Sequence, residues 1–148
     1  MKTKIPPPLV TLIFGSLIFL TKNIFPEIKV TNNIALGSLF ILFGILIASL
    51  SIGLFRKYRT TITPINPKSA TKLITSGIYK FSRNPMYLGL LLVLSGISII
   101  QNPIGGSLFV PSFILYLNHF QIIPEESAML DLFKDDFLKY KENVRRWI

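Results

Sequence analysis

The chain contains no cysteine and a single histidine, His119. Disulfides, thiolate metal sites, a cysteine nucleophile and a histidine-rich metal centre are thereby excluded. Acids are scarce: seven Asp and Glu stand against 16 Lys and Arg in 148 residues, a net charge of +9. Also missing are a G-x-G-x-x-G loop after a strand, a Walker loop, an H-E-x-x-H helix and a Ser/His/Asp arrangement. Any nucleotide-like cofactor must therefore use a site other than a Rossmann loop.

Charge is also missing from long stretches. Residues 34–55 hold none in 22 positions, about 33 Å of helix at roughly 1.5 Å per residue, which is enough to cross a hydrocarbon core of about 30 Å. Apolar residues lie in blocks, not at amphipathic spacing, as expected of a membrane helix rather than the buried helix of a small soluble protein. Four such blocks are expected as helices, at about 9–25, 34–55, 85–100 and 104–123. Lys22 and Asn23 intrude near the end of the first, where Lys22 can snorkel to the interface. Lys2 and Lys4 before an apolar run resemble a signal peptide, but Thr21–Phe25 offers no small-residue cleavage site, so a retained first helix is expected. Gln101, Asn102 and Pro103 join the last two blocks as a tight hairpin, and Pro111 suggests a kink in the fourth. In the second block Gly37, Gly44, Ala48, Ser49 and Gly53 suit close helix packing. The expected fold is an all-α membrane protein of about four transmembrane helices, one domain over residues 1–148.

The cations follow the topology. Arg56, Lys57, Arg59, Lys68, Lys72, Lys80 and Arg83 lie between the second and third blocks, with no acid among them. The hairpin tip at 101–106 is uncharged, and the first loop carries only Lys22, Glu27 and Lys29. The positive-inside rule then puts both termini and the 56–84 segment in the cytoplasm. A basic collar facing anionic lipid headgroups accounts for the excess charge without nucleic acid. From 125 to 148 the pattern changes. Met129, Leu130, Phe133, Phe137, Tyr140 and Val144 recur every three or four residues, opposite Asp131, Lys134, Asp135, Asp136, Lys139 and Glu142. This is expected as a cytoplasmic amphipathic helix at the membrane surface or beneath the bundle. Trp147 beside Arg145 and Arg146 suits an interfacial anchor.

Two places can carry chemistry. In Gly77–Gly89 (GIYKFSRNPMYLG), Asn84 is a favoured N-cap type and Pro85 a favoured first helical residue. The third helix is expected to begin there, offering free N–H groups and a positive dipole end to an anion. Tyr87 falls in its first turn, with Tyr79 and Arg83 just before the break. These residues also serve as ordinary interfacial anchors. Pro124-Glu125-Glu126 follows the fourth block directly. Carboxylates at the edge of hydrocarbon need solvation or a partner, and they suit either a helix first turn or a cationic ligand. His119, Asn118 and Gln121 are polar residues near the end of the same block.

Taken in order, G-I-Y-K-F-S-R-N-P-M-Y-L-G, the hairpin with N-P, and E-E-x-x-x-L-x-x-F-x-x-x-F-x-x-Y-x-x-x-V-x-R-W-I resemble the isoprenylcysteine carboxyl methyltransferase family. That family belongs with the phospholipid methyltransferases. The resemblance covers about Thr71 to Ile148. It implies an integral membrane methyltransferase that uses S-adenosylmethionine on a lipophilic acceptor such as a prenylcysteine-like carboxylate, a phospholipid amine or a small hydrophobic molecule. Carried over, the cofactor residues are Leu73, Ile74, Tyr79, Asn84, Pro85, Met86, Tyr87 and Glu125, with Arg83 and Glu126 in support. The helix start at Pro85 would meet the cofactor's carboxylate, and Glu125 its ribose hydroxyls or ammonium. Gln121 is the candidate on the substrate side, with Asn118 and His119 beside it. No metal is implied.

Three positions depart from the family pattern. Asn84 replaces its histidine and cannot act as a proton-transfer base. Lys134 replaces a glycine after Phe133. Gln121 replaces the arginine that handles a substrate carboxylate, and a neutral amide gives no charge-assisted pairing. The last departure argues against a carboxylate acceptor, not against methyl transfer. Two other classes remain: a noncatalytic membrane scaffold that retains the fold, and a sterol-type reductase with a comparable R-x-P-x-Y motif and a nicotinamide cofactor.

Overall fold

The computed structural model describes residues 5–28, 30–60 and 70–148, and they are helical with no strand among them. Lys2, Lys4, Lys29 and Lys68, which enter the charge argument, lie outside them. Helix α1 spans Pro7–Thr21, α2 Asn33–Lys57, α3 Pro85–Gln101, α4 Pro103–Leu117 and α5 Ile123–Asn143. Two helical lengths are long and apolar enough to cross a membrane: α2, with mean hydropathy 2.4, and the continuous stretch Pro103–Asn143. Helices α1 and α3 are equally apolar but shorter, at 15 and 17 residues.

Local chemistry explains the boundaries. Helix α1 starts two residues earlier than expected, on Pro7, and stops at Thr21 instead of 25. Lys22 ends it, with its ammonium 4.5 Å above the Phe19 ring. Asn102 forms the hairpin. Its side-chain oxygen accepts from the N–H groups of Ile104 and Gly105, and its amide donates to the carbonyls of Lys22, Phe25 and Pro26. One buried side chain thus caps α4 and holds the loop after α1.

Helices α2 and α3 run against each other through glycines spaced seven apart on each. Gly44 faces Gly89 and Gly37 faces Gly96, and a Cβ at any of them would sit 2.4–2.6 Å from an atom of the partner helix. Ala48 completes this contact, whereas Ser49 and Gly53 face outward and take no part in it. Ile47 and Ser51 are buried on the same side as the glycines, and the opposite face of α2 is exposed, with Leu39, Leu42, Phe43, Leu46 and Leu50 all pointing away from the protein. Apolar exposure of this extent marks a surface that packs against lipid or another protein. The core lies among α1, α3 and α4, where Val10, Ile18, Leu94, Phe113, Leu117 and Ile122 are buried together.

The amphipathic tail is not a separate element. Helix α4 runs unbroken through Pro111, passes through a π-helical turn at Asn118–Ile122 and continues directly into α5. The break comes later, at Lys134, whose φ of 42° and ψ of −116° are non-helical. That backbone conformation strongly favours glycine, the residue the family pattern places there. Beyond the break α5 buries Phe137 and Tyr140. Replacing Lys134 with glycine is expected to stabilise the protein by about 1 kcal/mol, read as a higher Tm in detergent. A lower Tm would mean that the lysine backbone is unstrained.

Candidate functional site

The loop before α3 is built by glycine and tyrosine. Gly77 opens a 3-10 turn over Gly77–Lys80 at φ 61°, a left-handed conformation natural to glycine. This turn buries Tyr79. Its hydroxyl pairs with Ser51 of α2 at 2.6 Å and its carbonyl accepts from the Tyr140 hydroxyl at 2.7 Å. Burial pushes the Tyr79 phenol above its ordinary range. Ile74 is buried nearby, Pro85 is buried at the first position of α3, and Met86 is half-buried beside it.

The motif at 83–87 and the acids at 125–126 meet. The Tyr87 hydroxyl donates to Glu125. Arg83 binds Glu126 at 2.7 Å, and Arg146 binds the other oxygen of Glu126 at 2.7 Å. Arg83 also donates to the carbonyls of Lys141 and Val144. The apolar part of the α4–α5 helix ends at Ile123, so both acids stand just outside it. Burial works to raise the Glu126 carboxyl, but hydrogen bonds from Arg146 and Arg83, with their charges, outweigh it and hold Glu126 below the usual range. Glu125 has no such compensation. Burial first, then the neighbouring charge of Glu126, push it up to about 7 against the hydrogen bond from Tyr87.

The structure corrects three expectations here. Asn84 stands at the N-cap position of α3, as expected, but its side chain makes no capping bond; its amide turns to the Arg146 carbonyl, 3.0 Å away. Its partner comes from the C-terminal strap at 144–147, which crosses the start of α3. The carbonyls of Val144, Arg145 and Arg146 accept from Arg83, Ser82 and Asn84. Arg146 and Trp147 are not free interfacial anchors either. Arg146 is tied to Glu126, and the Trp147 indole donates to Asn118 at 3.2 Å while packing on the core. Sequence reasoning took Tyr140 for apolar stripe, but its hydroxyl locks α5 to the motif.

Gln121 lies in the π-turn, only 1% exposed. Its amide donates to the Ile5 carbonyl at 2.7 Å, and its oxygen has no partner among the described residues. His119 is exposed, edge-on to Phe120. A cleft of about 590 Å³ opens between the loop and α5, with Leu73, Thr75 and Lys80 on one side and Asp136, Lys139, Tyr140 and Asn143 on the other. Leu73 is the one predicted site residue that lines it, and Tyr140 connects it to Tyr79.

These features define an all-helical protein with membrane-grade apolar helices and a buried acid–arginine–tyrosine cluster at one helix start. The profile of the phospholipid methyltransferase family matches residues 32–136, and the chain belongs to that family. The match takes in α2, which the motif resemblance from Thr71 did not reach, and stops short of Tyr140 and the strap. A protein of Haemophilus influenzae, described as uncharacterized, is 41% identical over 63 residues, 43% of this chain and all of the relative. No solved structure gave a significant match. Membership implies methyltransferase activity in general.

Proposed function

We propose that the protein is an integral membrane methyltransferase that moves the methyl group of S-adenosylmethionine to a lipophilic acceptor, as a single domain with four crossings and both termini in the cytoplasm. The observation that carries this reading is the junction of the 83–87 motif with the 125–126 acids, about 40 residues away, through Tyr87–Glu125 and Arg83–Glu126. The residues fit the cofactor. Glu125 keeps one oxygen without a partner among the described residues, and a cleft of ligand size opens beside the turn that carries Tyr79, with Leu73 and Lys80 in its wall.

When bound, the cofactor would supply a sulfonium-activated methyl, its carbon–sulfur bond breaking as the bond to the acceptor forms, with S-adenosylhomocysteine as leaving group and any acceptor proton released to water. This in-line displacement needs alignment and exclusion of water more than a strong acid or base, which agrees with a site lacking a catalytic triad. In this reading Glu125 accepts ribose hydroxyls and Tyr87 orients it. Glu126, Arg83 and Arg146 hold the frame, Leu73, Ile74, Pro85 and Met86 form apolar walls, and Gln121 faces the acceptor. Family membership favours this over the scaffold and reductase alternatives.

Calorimetry in detergent tests the site. Tyr87→Ala and Glu125→Ala are expected to abolish S-adenosylmethionine binding; unchanged affinity in both refutes the assignment. The acid adds a pH signature. Protonated Glu125 is a poorer acceptor, so affinity should rise as pH passes upward through about 7, and this dependence should vanish in Glu125→Gln. A wild-type profile flat between about pH 6 and about pH 8 would assign the contact elsewhere.

A further inference from the structure

We propose that the cleft between the 73–80 loop and α5 seats the amino-acid end of S-adenosylmethionine, with Asp136 taking its α-ammonium and Lys80 and Lys139 its α-carboxylate. This rests on the cofactor reading above and adds residues that the motif does not contain. Asp136, Lys139 and Asn143 recur at intervals of three and four, so they share one helix face, and that face lines the cleft. The break at Lys134 immediately precedes them and sets the direction of this last stretch of α5.

Charges of both signs meet there without neutralising one another. Neither Asp136 nor the two lysines makes a side-chain ion pair or hydrogen bond among the described residues, although all three border one cleft. A ligand carrying one cation and one anion about two bonds apart complements that arrangement, and an α-amino acid is such a ligand. A purely anionic ligand would leave Asp136 opposed, and a purely cationic one would face two lysines. The rival position for the carboxylate, the start of α3, is crossed by the 144–147 strap. The cleft also belongs to the same construction as the site, because the Tyr140 hydroxyl pins its wall to the Tyr79 carbonyl.

The test compares S-adenosylhomocysteine with 5′-methylthioadenosine, which lacks the amino-acid end, in calorimetry on the full chain in detergent. The wild type should bind the former about tenfold more tightly or better. The double variant Lys80→Ala/Lys139→Ala and the variant Asp136→Asn should each remove most of that advantage while leaving methylthioadenosine affinity within about twofold. Decarboxylated S-adenosylmethionine separates the two ends: its affinity should fall in Asp136→Asn and stay level in the lysine variant. These side chains are exposed, so Tm should not change. Equal wild-type affinities, or variants that weaken both probes alike or neither, overturn the assignment of the cleft. A wild type that binds no adenosyl compound at all overturns the cofactor reading itself.

Discussion

Replacing Gly89 with valine is expected to destabilise the protein by about 3 kcal/mol, the upper end of the usual cost of overpacking. At this position the backbone of α2 leaves no room. The new Cβ would lie 2.6 Å from the Gly44 carbonyl oxygen and 2.9 Å from the Ala48 nitrogen. Backbone atoms cannot rotate aside as a side chain would, so the helices must separate. Separation loosens the Gly37–Gly96 contact one heptad away and shifts Ser51, which holds Tyr79. Gly53→Ala on the outer face of α2 is the control. Nothing stands within 4 Å of its added Cβ, and alanine's helix propensity should make it neutral or stabilising by up to about 1 kcal/mol. Thermal unfolding in detergent checks both. Equal tolerance of the two substitutions would contradict the close approach of α2 and α3.

Glu126→Ala is expected to cost about 3–5 kcal/mol, as when one partner of a buried ion pair is removed. The Arg83 side chain is only 8% exposed, and the Glu126 side chain 13%. Without the carboxylate, Arg83 keeps a buried charge supported only by the Lys141 and Val144 carbonyls, and its Nε is already without a partner among the described residues. Arg146 is less demanding, because its side chain is 34% exposed and can turn to water. Arg146→Ala should therefore cost well under half as much. The same loss frees the 144–147 strap, so faster proteolysis at Arg145 and Arg146 should accompany the lower Tm of Glu126→Ala. A Tm within experimental error of the wild type would show that the arginines do not depend on this acid.

What could be read from the sequence was what local chemistry decides. Pro85 and Asn102-Pro103 mark helix starts wherever they occur, and α3 and α4 begin there. The 22 uncharged residues at 34–55 specify an apolar helix, and α2 contains them. The shared site of the motif and the acid pair was expected only from the family resemblance, which assigns residues of both to one cofactor; the acids' own chemistry suited a helix first turn or a cationic ligand and did not name Tyr87 or Arg83 as partners. The unread features depend on distant chain. Asn84 has the chemistry of a cap, but the Arg146 carbonyl competes for its amide, and a backbone carbonyl leaves no trace in a residue pattern. The strap at 144–147 is held largely through such carbonyls, so Arg146 and Trp147 looked like lipid anchors. Half of the glycine contact was visible in α2, but Gly89 and Gly96 were not recognised as its partners. The π-turn at 118–122 joins two segments that a change in composition appeared to separate. Lys134 hides a break because lysine is a good helix former; the missing family glycine was the available signal.

The account stands most directly on transfer of a labelled methyl group. Purified protein, incubated with S-adenosylmethionine carrying labelled methyl and a total membrane lipid extract, should move label into an organic-soluble product, and Glu125→Ala should not. Label that stays entirely with the cofactor in the wild type, while NADPH binds in its place, would contradict methyl transfer and point to the reductase alternative.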